Sequence, residues 1–165
     1  MFFLISKLSF AYSQNDFTFF RRWDVQPKSI IVCDDIPTET VQQAVDFWRY
    51  YEIIDYDLQI EVSPSCDSHF IDGYILVMRA INMDLEKYYA MTYHNHKTSA
   101  ARIEMDLKEK NNTVLMIHEL GHALGIDHCD DGKENHVMYY KVLSTSTELG
   151  SFSKLSYLLH LTSSK

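Results

Sequence analysis

His118-Glu119-Leu120-Gly121-His122-Ala123-Leu124-Gly125-Ile126-Asp127-His128 sets three imidazoles and one carboxylate within reach of a single metal ion. Four residues of α-helix turn through about 400°, so His118 and His122 stack on one helix face. Glu119 falls beside that face, where it can hold a metal-bound water and act as general base. Gly125, three residues after His122, suits the left-handed turn that commonly ends a helix, and such a turn brings His128 back toward the same ion. Three protein ligands leave one coordination position open, the pattern of a catalytic zinc; a structural zinc closes with four protein ligands, often cysteines. The site read from the sequence is therefore His118, His122 and His128 as metal ligands and Glu119 as the catalytic group.

The residues around this stretch alternate strand and helix signals. Ser29 to Cys33 is a short β-branched run, Asp34-Asp35-Ile36-Pro37 turns the chain, and Thr38 is placed to cap a helix through Tyr51 whose Val41, Val45 and Trp48 recur at helical spacing. Tyr56 to Ser63 alternates as a half-buried strand with Leu58, Ile60 and Val62 on one face, and Phe70 to Arg79 reads as a third strand. A charged connection at 82–87 leads to a fourth strand over Tyr89 to Asn95 and a fifth over Ala101 to Leu107. The histidine-bearing helix follows, capped by Asn112 or Thr113, with Val114, Ile117, Leu120 and Leu124 as its buried face. Past Met138, Thr145-Ser146-Thr147-Glu148 has the form of a capping box, and Leu149, Phe152, Leu155, Leu158 and Leu159 give a final amphipathic helix.

HExxHxxGxxH, filled here at His118, Glu119, His122, Gly125 and His128, resembles the zinc signature of the metzincin metallopeptidases. Metzincins carry a methionine turn below the metal, and Met138, ten residues beyond His128, is its candidate. HELGHALGIDH followed by Val-Met-Tyr looks most like the matrixin branch, whereas Tyr140, two residues after the methionine, resembles the astacin and serralysin branches, where a tyrosine there can reach the zinc. The resemblance implies an α+β fold: a twisted, mixed five-stranded sheet packed on long helices, with the methionine turn and a C-terminal helix. It covers residues 23–162 by element order and 118–138 by motif. It further implies a peptide or protein substrate lying as an extended strand against the sheet's edge strand, near Tyr89 to Asn95, a mode that uses backbone hydrogen bonds.

Length and composition bound the rest. A chain of 165 residues suits one domain with a real core, here 23–165, preceded by residues 1–22 as an N-terminal arm or a weak signal-like segment. Met1 to Ser13 is apolar, yet Lys7 lies inside the run and no positive residue precedes it, and the run is too short for a membrane span. With 15 basic against 23 acidic side chains the net charge is −8, and no basic cluster exceeds Arg21-Arg22, which argues against nucleic-acid binding. Three cysteines, Cys33, Cys66 and Cys129, allow one disulfide and leave one thiol. The compartment stays open: the resemblance allows secretion, while the sequon Asn111-Asn112-Thr113 would place a glycan against the start of the zinc helix.

Other histidines and acids are read more plainly. His94 and His96, with His69, resemble part of the structural zinc site of matrixins, but the fifth strand supplies no histidine to complete such a site, so a solvated histidine face is expected. Asp127, Asp130 and Asp131 either hydrogen-bond a ligand imidazole or form a solvated loop, and Cys129 is a spectator. Calcium is allowed by the resemblance, but no DxDxDG-type loop supports it. The expected function is zinc-dependent endopeptidase; the alternative is a non-catalytic, zinc-stabilised protein-binding module, against which the intact Glu119 argues. Hydrolysis of a small amide is a further enzymatic alternative, which would require a closed pocket in place of an open cleft.

Overall fold

The computed structural model of the chain describes Phe19, Trp23 and residues 26–64, 66–81, 83–95, 99–129 and 137–138. Five strands, β1 (Ser29–Cys33), β2 (Gln59–Ser63), β3 (Tyr74–Arg79), β4 (Ala90–Asn95) and β5 (Ala100–Met105), form one sheet in the order β2-β1-β3-β5-β4. β1 runs parallel to β2 and β3, β3 runs parallel to β5, and β4 is antiparallel to β5 at the edge. The sheet is thus mixed, with helices α1 (Thr38–Tyr50) and α2 (Thr113–Ala123) completing an α+β architecture. The central strands are continuous apolar runs because both their faces are covered: Ile75, Leu76, Val77 and Met78 are all buried.

One face carries Ile30, Val32, Ile75, Val77, Ala101, Ile103 and Met105 into the main core with both helices. Trp48 of α1 is fully buried there, and its indole Nε1 donates to the Ile117 carbonyl of α2 at 2.9 Å, so the two helices are joined by a directed bond as well as by packing. The opposite face is smaller, with Cys33, Leu76 and Met78 packed with Ile31 and Cys66. Cys33 and Cys66 form the disulfide, with Cα atoms 5.7 Å apart, and Cys129 is the free thiol. Beside them the Arg102 guanidinium lies 5.0 Å from the ring centroids of both Phe70 and Tyr93, pairs with the fully buried Glu104 at 3.0 Å and donates to the Ser68 carbonyl. Glu104 also accepts from Ile81 N at 3.1 Å, which pins the start of the β3–β4 connection.

Several expected details are corrected. Thr38 does not cap α1; Pro37 occupies the cap position with φ −64° and Thr38 is the first helical residue, without a side-chain cap bond. β3 starts at Tyr74 because Gly73 adopts φ +81°, which breaks the extended run from Phe70. β2 starts at Gln59, and although Leu58 is buried, Val62 is 60% exposed, because β2 is the other edge of the sheet and only β1 flanks it. The helices are not long: α1 has 13 residues and α2 has 11. Ahead of β1, Phe19 bridges Ile126 and the Trp23 indole donates to the Ala123 carbonyl at 2.8 Å, closing over the end of α2. Among the described residues no helix is long and apolar enough to cross a membrane. The remainder of segment 1–22, Tyr140, and the helix expected from Thr145 to Leu159 lie outside the described residues.

Candidate metal centre

α2 begins where Asn112 Oδ1 accepts from Leu115 N at 3.1 Å, so of the two residues weighed as cap it is Asn112 that serves. The helix is buried nearly all round, with Leu115 and Met116 covered in addition to Ile117 and Leu120, while Val114 is only half-buried. A helix so enclosed can carry polar groups only where they find partners. His118 is fully buried and its Nδ1 lies 2.7 Å from the Val137 carbonyl; His122 Nδ1 lies 2.8 Å from the Ile126 carbonyl. A carbonyl only accepts, so each Nδ1 carries the proton and each Nε2 presents a lone pair.

The turn after α2 places the third histidine. Gly125 has φ +94°, its N–H donates to the His122 carbonyl at 2.8 Å, and Ile126 N–H reaches back to the Gly121 carbonyl at 2.9 Å, the paired bonds of a Schellman ending. Ile126 is fully buried and anchors this reversal, after which His128 faces the helix. His122 Nε2 lies 3.0 Å from His118 Nε2 and 3.1 Å from His128 Nε2, and the ligand atoms of all three lie within 4.8 Å of one another. Lone pairs aimed at each other at such distances repel unless a cation sits among them. Tetrahedral zinc with Zn–N bonds of 2.0–2.1 Å separates its nitrogens by about 3.3 Å, so the donor set fits a metal ion of that kind. The three histidines singled out in the sequence are therefore brought together, and no other group of His, Cys, Asp and Glu with metal-ligand spacing occurs among the described residues.

Burial tunes both titrating partners. Desolvation holds His122 down at about 4, against the opposing pull of the Ile126 carbonyl, so its ring is neutral near pH 7. Desolvation pushes Glu119 up to about 7, and the Thr92 hydroxyl works the other way. Glu119 is 2% exposed; Thr92 Oγ1 of β4 lies 2.6 Å from its Oε2 and 3.0 Å from its carbonyl oxygen.

Met138 is fully buried beneath the helix, beside Val137, whose carbonyl holds His118, and its own carbonyl accepts from Cys129 N at 2.9 Å. The methionine is packed against the histidine-bearing helix, its sulfur beside Gly121. Four contributors escaped the sequence reading: the Val137 carbonyl, Gly121, Thr92 and the contact of His94. His94 is not on a solvated face; it is half-buried, with Nε2 2.9 Å from the His122 carbonyl. Its alternation with Thr92 on an edge strand was the available signal. His69 is exposed beside Asp67, and His96 lies outside the described residues. Asp127 accepts from the backbone N–H of His128 at 2.8 Å and not from an imidazole; Asp130 and Asp131 lie outside the described residues. Cys129 is half-buried against the core.

Comparison with protein-family models gives no match, and comparison with curated proteins likewise gives none. What the fold and site define is a mixed five-stranded sheet packed on helices, with a three-histidine group, His118 buried and the other two partly open, able to hold a metal ion.

Proposed function

We propose that the protein is a zinc-dependent endopeptidase of the metzincin type. The observation that carries this reading is the convergence of three Nε2 atoms, two with their tautomer set by backbone carbonyls, next to a buried carboxylate on the same helix. His118, His122 and His128 would hold a zinc ion, which would supply Lewis acidity for a peptide carbonyl and for water. Glu119 takes the proton of the attacking water and passes it to the leaving amine. A carboxyl group near 7 is matched to both halves of that transfer at neutral pH. The β4 edge, antiparallel to β5 on one side only, offers backbone donors and acceptors to an extended chain.

A zinc-stabilised binding module is the competing reading, and the burial of Glu119 weighs against it. Glu104 is buried against the Arg102 guanidinium, but Glu119 is buried with the neutral Thr92 hydroxyl as its side-chain partner, a cost that a purely structural zinc site gives no reason to bear. Digestion of a mixed peptide library with and without a chelator, read by mass spectrometry, tests the proposal. Chelator-sensitive cleavage within peptides is expected; cleavage that persists after zinc is stripped, or none at all, would overturn it.

A further inference from the structure

The geometry points to Thr92 as a positioning residue for the general base, an inference that rests on the peptidase reading above. A glutamate ends in a broad, nearly two-fold torsion, so its carboxylate swings unless something holds one of its oxygens. Among the residues around Glu119, Thr92 does this: its hydroxyl lies 2.6 Å from Oε2 and 3.0 Å from the Glu119 carbonyl oxygen. Threonine is stiff about its first side-chain torsion. Its backbone is fixed in turn, since Thr92 pairs with Ile103 in the β4–β5 ladder. The hydroxyl is therefore a fixed post that engages both ends of one residue, and it leaves Oε1 as the oxygen that handles the proton.

The strand is latched a second time. His94, the next residue of β4 on the same face, has Nε2 2.9 Å from the His122 carbonyl. Tyr93 between them points the other way and stacks on Arg102. Two successive inward side chains of the edge strand thus grip α2 at residues 119 and 122, and the strand that would register a substrate is tied to the helix that carries the base. Catalytic groups lose rate when displaced by as little as about 1 Å, so such a tie has a kinetic consequence.

The test uses the full chain carrying Thr92→Val, which keeps the shape and removes the hydroxyl, with Thr92→Ser as the conservative restoration and Thr92→Ala as a second hydroxyl-free variant should valine perturb folding. With an extended peptide substrate, Thr92→Val should lower kcat by about 10- to 100-fold while KM and the zinc content stay near wild type, and Thr92→Ser should recover most of kcat. A second readout needs no turnover: in zinc-free protein labelled with 13C at glutamate carboxylates, the Glu119 resonance, assigned by its loss in Glu119→Gln, should move in the valine and alanine variants and hold in the serine one. Wild-type kcat in Thr92→Val, equal impairment of Thr92→Val and Thr92→Ser, or an unmoved Glu119 resonance would each overturn the assignment. If wild type cleaves no peptide, the peptidase reading falls, and the resonance comparison still decides whether Thr92 holds the carboxylate.

Discussion

Gly121 lies against Met138 so closely that a Cβ built on it would sit 2.6 Å from the Met138 sulfur and 2.7 Å from Trp48 Cζ2. Glycine inside a helix normally costs about 1 kcal/mol relative to alanine, and here that cost accompanies the seating of the methionine against α2. Gly121→Ala should therefore destabilise in spite of its better helix propensity. The sulfur can shift, but the Trp48 ring is fixed by its bond to the Ile117 carbonyl at 2.9 Å. Overpacking of this kind costs about 1–3 kcal/mol. Thermal denaturation of the two proteins measures it, and a midpoint at or above wild type would show that the close packing is not a constraint.

Glu119→Gln separates chemistry from structure. Glutamine keeps the shape but accepts no proton, so peptide hydrolysis should fall by about 10² to 10⁴ while zinc is retained. Stability of the zinc-free protein should move the other way. The folded-state pKa of Glu119 is raised from 4.5 to about 7, so its unfavourable burial is absent below pH 4.5 and grows until the pH passes 7. That of His122 is lowered from 6.5 to about 4, so its contribution is full above pH 6.5 and is lost as the pH falls through 4. The two slopes oppose each other over most of the same window. Removing the carboxylate should expose the histidine's slope, making zinc-free Glu119→Gln gain stability from pH 4 to 6.5 and exceed wild type at pH 7 by something on the order of 1–3 kcal/mol. Urea titrations at a series of pH values provide the comparison. A zinc-free variant less stable than wild type at pH 7 contradicts this assignment of the burial cost.

Metal removal should be felt by the whole fold, because His128 lies beyond the Gly125 reversal and an ion shared with His118 and His122 would tie that reversal to α2. A ligand present at about 1,000 times its dissociation constant adds about 4 kcal/mol to the folded state. Chelation should therefore lower the melting temperature of wild type by several degrees, and His128→Ala should both start lower and lose most of its response to chelator. Elemental analysis should give one zinc per chain in wild type. Two tightly held ions would contradict the single three-histidine group found among the described residues.

The site was legible because metal chemistry dictates spacing along one helix and one glycine turn, both local in sequence. His118, His122, Gly125 and His128 all stand as their spacing implies. The five strands were legible as apolar runs, whereas their assembly into a mixed sheet with β4 at its edge was implied only by the resemblance, since runs alone fix neither strand order nor direction. What escaped is nonlocal. The partner of His118 Nδ1 is a backbone carbonyl 19 residues on, and carbonyls leave no trace in residue identity. Thr92 and His94 meet α2 only because β4 folds back beside β5, so in the sequence they look like ordinary polar positions on a strand. Val62 follows the alternation of a buried face, but alternation does not reveal which strand ends a sheet.

The disulfide offers a control that should leave the chemistry alone. Cys33 closes the end of β1 and Cys66 follows β2, 33 residues away, on the sheet face opposite α2. Cross-linking a loop of that length restricts the unfolded chain by roughly 3–4 kcal/mol on the chain-entropy account. Because Cys33 is 5% exposed and packs with Leu76 and Met78, a pair of alanines preserves more of that cluster than a pair of serines. The double variant Cys33→Ala/Cys66→Ala should therefore unfold at a lower temperature than wild type and bind zinc with unchanged stoichiometry. Its hydrolytic rate below the transition should match wild type, since Glu119, Thr92 and the three histidines belong to the other face. Mild reduction of wild type should reproduce the shift in melting temperature and should have no further effect on the double variant. Loss of zinc or of activity at temperatures where the double variant is still folded would mean that the two faces of the sheet are coupled, contrary to this expectation.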